Sequence, residues 1–288
     1  MLNRLLSLFF FVLACCAQAQ QRVSDVIYMK SGGVAYTMDV FKPQQPNGAG
    51  IMWMVSGGYF SSHDNIDANL AKAFNDRGYT LFQVVHGSQP KYTIPEILGQ
   101  VQRAIRFVRS HASEYGVNPE RLGLSGASAG GHISLMEAGL ADEGKADAKD
   151  PVDRASSKVA AVAVLFPPTD FTAFGGDTSL EKLSKDPKYA IFMPAFGITA
   201  QTPSDQVANL AQRLSPIFLV TSKFPPTFIA HGDADDLVPV QQAGVMKKAL
   251  DKAGVKNELL IVKGAGHDPR VALEALPKML VWFDTYLK

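Results

Sequence analysis

The chain has 288 residues, of which 47% are hydrophobic and 19% charged, with 24 Gly and 17 Pro. That balance excludes a disordered, collagenous or coiled-coil chain. Lys+Arg number 28 and Asp+Glu 27, a formal charge of +1. There is no basic excess to hold a phosphate backbone, so nothing supports nucleic-acid binding.

The first 19 residues read MLNRLLSLFFFVLACCAQA. One basic side chain, Arg4, precedes an apolar run too short to span a bilayer, which needs roughly 20 residues. Ala17-Gln18-Ala19 then offers small residues where a signal peptidase reads. The expectation is an export signal at residues 1–19, cleaved after Ala19, and a secreted or periplasmic protein with no stable membrane insertion. A buried N-terminal helix and a lipoprotein anchored at Cys15 or Cys16 are the competing readings. Cleavage leaves 269 of the 288 residues and, with Arg4 gone, a formal charge of zero. Both cysteines go with the leader, which removes disulfides, a catalytic thiol and thiolate metal sites from consideration.

Residues 23–29 and 35–41 flank Ser31-Gly32-Gly33 and predict a hairpin. A buried strand is expected at 51–55, a helix at 64–77 closed by Gly78, and a strand at 81–85. Ile94, Ile97, Leu98, Val101, Ile105 and Val108 recur at spacings of three and four, one apolar face of a long helix ending near Gly116. Further strands are expected at 122–124, 159–166, 227–230 and 258–262, and helices at 129–141, 240–253 and 272–287. This alternation predicts an α/β fold in one domain over 20–288, with a mostly parallel central sheet and helices on both faces. Residues 142–157 read as a solvated loop. Residues 171–214 lack sheet character over a length too great for a simple connection, and predict a lid insertion at the ligand end of the sheet. Its Phe174, Tyr189, Phe192, Met193 and Phe196 either face a substrate or pack the insertion onto the core.

The strongest local signal is Gly126-Ala127-Ser128-Ala129-Gly130, a G-x-S-x-G placed between an expected strand and an expected helix. That strand–turn–helix context is what a nucleophile elbow requires, with small residues permitting a strained turn that projects Ser128. A serine hydroxyl needs a base, and histidine is suited to the task. Of six histidines, His267 stands in a glycine-rich loop after the last strand, where a base can reach a nucleophile that follows another strand. His132, one turn past Ser128, is expected to pack under the elbow. Three acids follow the strand at 227–230. Asp235 is preferred as the partner of His267, with Asp233 expected to cap the turn and Asp236 to face the other way. Ala129 and the loop Ser56-Gly57-Gly58-Tyr59-Phe60 are the sources of N–H donors for an oxyanion, with Gly58 and Tyr59 the candidates beside Ala129.

These residues resemble the α/β-hydrolase superfamily, in particular the secreted bacterial acetyl-esterase and feruloyl-esterase-like branch related to hormone-sensitive lipase. The resemblance runs from about Tyr36 to the C-terminus. It is carried by residues 117–132 (VNPERLGLSGASAGGH), by Ser215-Pro216-Ile217, by residues 225–239 and by Gly264-Ala265-Gly266-His267. It implies an α/β-hydrolase fold and a triad of Ser128, Asp235 and His267. Two departures stand out. The family usually has His before its oxyanion glycines, where this chain has Ser56. It usually has an Asn-or-Asp-Tyr-Arg segment after the next strand, where this chain has Val85-His86-Gly87-Ser88. The usual His and Arg brace the oxyanion loop, so a substitute brace is expected from local bonding of His86 or Ser56.

The function expected from these features is serine carboxylic-ester hydrolysis through an acyl-enzyme, on short-chain or carbohydrate-linked acetyl or feruloyl esters. The partner is a small-molecule ester. The chemistry calls for no cofactor, and no HExxH or clustered His/Asp spacing supports a metal. A prolyl-oligopeptidase-like serine peptidase and a non-catalytic binding protein on the same fold are the alternatives. The oligomeric state is not legible in the sequence.

Overall fold

The computed structural model describes residues 21–288. The leader expected at residues 1–19 lies outside the described residues. Eight strands form one sheet in the order β1-β2-β4-β3-β5-β6-β7-β8. β1 (Gln21–Ser31) and β2 (Val34–Lys42) are the expected hairpin, joined through Gly32 and Gly33 at φ 57° and 76°. Left-handed backbone at both central positions matches the twist of the two strands, and only glycine adopts it without strain. β2 pairs antiparallel with β4 (Thr80–Val84). From there β3 (Gly50–Met54), β5 (Leu122–Ala127), β6 (Ala161–Leu165), β7 (Thr227–Gly232) and β8 (Asn257–Val262) run parallel.

Alternating residues of each central strand feed two separate cores. Met52, Met54, Leu122, Leu124, Val162 and Val164 meet α2 (Ile94–Ser110), α3 (Ala129–Leu140) and α6 (Gln241–Lys252) on one face. On the other face, Ile51, Ala161, Ala163 and Leu165 meet α1 (Ala68–Asn75) and α7 (Pro269–Leu287). Each fully buried Ile, Leu or Val contributes about 1.5–3 kcal/mol, so the two-sided burial explains why these strands are almost uniformly apolar. The periodic face read in α2 is the buried one. Its start is set by Glu96, whose carboxylate accepts from the Thr93 N–H (2.7 Å) and hydroxyl (2.8 Å).

Some boundaries differ from expectation. The helix expected at 64–77 is shorter, because Asp67 caps α1 by accepting from Asn69 N and Leu70 N, leaving only a 3-10 turn at His63–Asn65 before it. The strand expected at 159–166 contracts to β6, where Phe166 already turns to φ 37°. Residues 171–214 contain no sheet strand. They hold α4 (Leu180–Leu183), a 3-10 helix at Ala190–Phe196 and α5 (Ser204–Arg213). Among the described residues, no helix is long and apolar enough to cross a membrane.

Candidate active site

The C-terminal ends of β5, β7 and β8 bring three loops together, the general location of ligand sites in open parallel sheets. β5 ends at Ala127, and α3 starts at Ala129 with no intervening loop. Ser128 alone makes the turn, at φ 53° and ψ −120°. A non-glycine residue there is strained by about 1–3 kcal/mol, and the surroundings hold it in place. Its N–H donates to Leu165 O at 2.9 Å. The flanking glycines are needed for close approach: a Cβ on Gly126 would lie 2.5 Å from the Gly130 backbone, and one on Gly130 would lie 2.6 Å from Met54 O.

His267 follows β8, as expected. The Ser128 hydroxyl donates to His267 Nε2 at 2.9 Å, and His267 Nδ1–H donates to Asp235 Oδ2 at 2.7 Å. The Phe166 ring packs 4.4 Å from the imidazole, centre to centre. The three acids after β7 have different fates. The Asp235 side chain is fully enclosed, whereas that of Asp236 is 89% exposed and lies toward Lys188. Asp233 does not cap its own turn. Its carboxylate reaches across to accept from Gly264 N at 2.6 Å, tying the β7 loop to the loop that carries His267.

Burial alone would raise the Asp235 carboxyl. Hydrogen bonds from His231, His267 and the Val238 N–H outweigh it and hold the group well below the usual carboxylate range. The role of His231 was not visible in the sequence beyond its place at the strand end. Its Nε2–H donates to Val238 O at 2.8 Å and lies 3.3 Å from Asp235 Oδ2, so a second imidazole backs the same acid. The four-residue spacing from His231 to Asp235 was the available signal.

The loop after β3 carries Gly58 and Tyr59 in consecutive left-handed conformations, φ 55° and 65°. The N–H groups of Gly58, Tyr59 and Ala129 donate to no backbone acceptor among the described residues, while Gly57 and Phe60 close a turn on each other. His132 does lie under the elbow. Its Nε2–H donates to Leu214 O at 2.7 Å and its Nδ1 accepts from the Tyr59 hydroxyl at 3.3 Å, so it joins α3, this loop and the end of the insertion. Burial pushes its imidazole down to about 4, which keeps it a neutral hydrogen-bonding bridge.

The side chains of His86 and Ser56 supply no brace; the two bond locally through backbone groups, His86 N–H donating to Ser61 Oγ at 3.2 Å and Ser56 O accepting from Gly130 N at 3.3 Å. The Ser56 hydroxyl and His86 Nε2 are buried without hydrogen-bond partners among the described residues. The other ring nitrogen of His86 donates only to the neighbouring Gly87 carbonyl at 2.8 Å. Gln89, which drew no attention in the sequence, contacts the loop instead.

A cavity of about 60 Å³ opens beside Ser128, Ala129, Gly58 and Tyr59. Its remaining wall is almost entirely apolar. Phe171, Phe174, Leu183, Phe192, Met193 and Phe196 of the insertion form most of it. The aromatic residues of the insertion therefore both pack inward and face the cavity.

An eight-stranded, mostly parallel sheet with a strained Ser128 elbow after β5, His267 after β8 and Asp235 after β7 in one hydrogen-bonded chain is an α/β-hydrolase fold. The BD-FAE family model matches residues 38–250, and the chain belongs to that family. Among curated relatives it is 29% identical over 169 residues to "Probable carboxylic ester hydrolase LipM" of Mycobacterium tuberculosis, covering 58% of this chain and 36% of that one. It is 33% identical over 132 residues to "Acetylxylan esterase" of Xylanibacter ruminicola, covering 43% of this chain and 26% of that one. The chain thus spans about a quarter to a third of the length of these relatives. A solved structure titled "Truncated form of carbohydrate esterase from gut microbiota" superposes with a TM-score of 0.78 at 24% identity, covering 92% of this chain and 96% of that one, and shares the fold.

Proposed function

We propose that the protein is a serine carboxylic-ester hydrolase with Ser128, His267 and Asp235 as its triad. The observation that carries this reading is the continuous hydrogen-bonded path from the Ser128 hydroxyl through His267 to a buried, ionised Asp235. Ser128 attacks the acyl carbon as His267 takes its proton. Asp235 holds the imidazole in the tautomer that leaves Nε2 free to accept, and stabilises its charged form. The developing oxyanion takes hydrogen bonds from the N–H groups of Gly58, Tyr59 and Ala129. His267 then gives its proton to the leaving alcohol, and a water repeats the sequence on the acyl-enzyme.

The substrate side of the proposal is a short acyl group on a small or carbohydrate-linked alcohol. An apolar cavity of about 60 Å³ beside Ser128 has room for acetyl to butyryl chains, which favours these over feruloyl. The carbohydrate esterase and acetylxylan esterase among its likenesses support a carbohydrate alcohol. Export, with cleavage after Ala19, belongs to the same proposal, and N-terminal sequencing of the mature protein checks it.

The test is a panel of acetyl, butyryl, feruloyl and long-chain esters beside amino-acyl p-nitroanilides, run on wild type and Ser128→Ala. Expected are hydrolysis of the short esters and a loss of at least 10⁴-fold in kcat on Ser128→Ala. Turnover of the anilides alone, or a Ser128→Ala variant as active as wild type, defeats the proposal.

A further inference from the structure

We propose that Gln89 is a positioning residue for the oxyanion loop: its side-chain amide sets the direction of the Tyr59 N–H and ties that loop to the insertion. The inference rests on the esterase reading above. Gln89 is 3% exposed, and every donor it has is used. Its Nε2 donates one hydrogen to Gly58 O at 2.8 Å and the other to Ile191 O at 3.0 Å, while its own backbone N–H donates to Tyr59 O at 3.1 Å.

Peptide geometry gives this contact its consequence. In a trans peptide the carbonyl of one residue and the N–H of the next point in opposite directions. Drawing the Gly58 carbonyl toward Gln89 therefore turns the Tyr59 N–H away from Gln89. The Gly57 carbonyl, held by Phe60 N at 2.9 Å, sets the Gly58 N–H in the same way. Gly58 and Tyr59 both line the cavity beside Ser128. Gly58 adopts φ 55° freely, but Tyr59 at φ 65° is a bulky residue in left-handed backbone, and the Gly57–Phe60 bonds and Gln89 hold it there. Neither Ser56 nor His86 bonds to them; Gln89 holds both carbonyls, that of Gly58 through its side-chain amide and that of Tyr59 through its backbone N–H.

The second amide hydrogen extends the grip to the insertion. Ile191 lies in the 3-10 helix Ala190–Phe196, and the next residue, Phe192, presses its ring where a Gly58 Cβ would be, 2.7 Å away. Gly58, Gln89, Ile191 and Phe192 thus form a closed ring of contacts. One amide registers the donor loop against the wall of the acyl cavity.

The experiment uses the full chain with Gln89→Met, which keeps the length and removes both amide donors. Turnover of p-nitrophenyl acetate and butyrate is measured together with inhibition by a trifluoromethyl ketone. That ketone adds to a serine hydroxyl to give a hemiketal whose oxygen occupies the oxyanion position. Expected is a fall in kcat of about 10- to 100-fold, less than removal of a donor outright, with KM within threefold of wild type. Ketone affinity weakens by the same factor as kcat. A kcat within threefold of wild type, a loss confined to KM, or a kcat loss without matching loss of ketone affinity overturns the proposal. If Gln89→Met does not fold, Gln89→Asn decides, since its amide is one methylene too short to reach both carbonyls. The same split is expected at threefold or more, and an unchanged kcat overturns the idea. Ser128→Ala separates the two levels: if it abolishes turnover while Gln89→Met is unaffected, only the role of Gln89 is lost. If Ser128→Ala is as active as wild type, the esterase reading is lost.

Discussion

Asp235 occupies the one position after β7 where a carboxylate is enclosed, held by two backbone N–H groups and flanked by two imidazoles. Its pKa is depressed against the pull of burial, so its contribution to stability is present above the ordinary unfolded value of 3.8 and is lost as pH falls below it. Asp235→Asn keeps the shape but reverses one hydrogen-bonding group toward His267. Expected is a drop in kcat of about 10⁴ at neutral pH, with KM little changed, measured on p-nitrophenyl acetate. Equal kcat in the two proteins removes Asp235 from the triad. The choice among Asp233, Asp235 and Asp236 was legible from the chain order and the position in the turn. That a histidine four residues earlier backs the acid was not, because it depends on how the β7 loop folds onto its own strand.

At the scale of elements, two segments carry opposed demands. The Gly57–Phe60 turn must hold left-handed backbone and accept the Phe192 ring. Gly58→Ala is therefore expected to cut kcat at least tenfold, because its Cβ meets Phe192 at 2.7 Å and its φ disfavours any side chain. Full activity in that variant shows that the insertion yields at no cost. Helix α3 presents a different strain. Glu137 lies fully buried on it, and neither carboxylate oxygen has a partner among the described residues. Burial pushes its pKa well above the usual carboxylate range, against the nearby Arg106. A raised folded pKa contributes stability that is full below the unfolded value of 4.5 and is lost as pH rises through the folded value. Glu137→Gln, neutral at every pH, is expected to unfold at a higher urea concentration than wild type at pH 8. The two midpoints converge near pH 4.5. Parallel curves at both pH values contradict this account.

Across the whole molecule, the two cores stack on either side of one sheet, and two imidazoles are sealed into the layer behind the site. Burial lowers both His86 and His132 to about 4, and both are neutral in the folded protein at neutral pH. The unfolded chain takes up these protons near 6.5, so the stability they represent is present above 6.5 and falls as pH drops toward 4. Glu137 works in the opposite sense over part of that range. The expected outcome is a urea midpoint that declines from pH 7 to pH 4.5 more steeply in Glu137→Gln than in wild type. A midpoint in Glu137→Gln that stays level over that range overturns the assignment of neutral buried histidines.

The sequence by itself determined the alternating α/β order and the elbow at Ser128, and singled out His267 and Asp235, the residues proposed as base and acid. Those features are local: hydrophobic period, glycine spacing and chain order are written into short stretches, and each maps to one strand end. It also marked residues 171–214 as an insertion, through the absence of strand character. Tertiary structure alone decided what that insertion faces, since the same aromatic residues would serve a packed flap or a cavity wall. It alone placed Gln89, rather than a side chain of His86 or Ser56, against the Gly57–Phe60 turn. The contacts of Gln89 join positions 31 and 102 residues apart, and no local pattern carries such information. A side-chain amide that grips two carbonyls from distant segments is specified by packing, and becomes visible only once the chain has closed on itself.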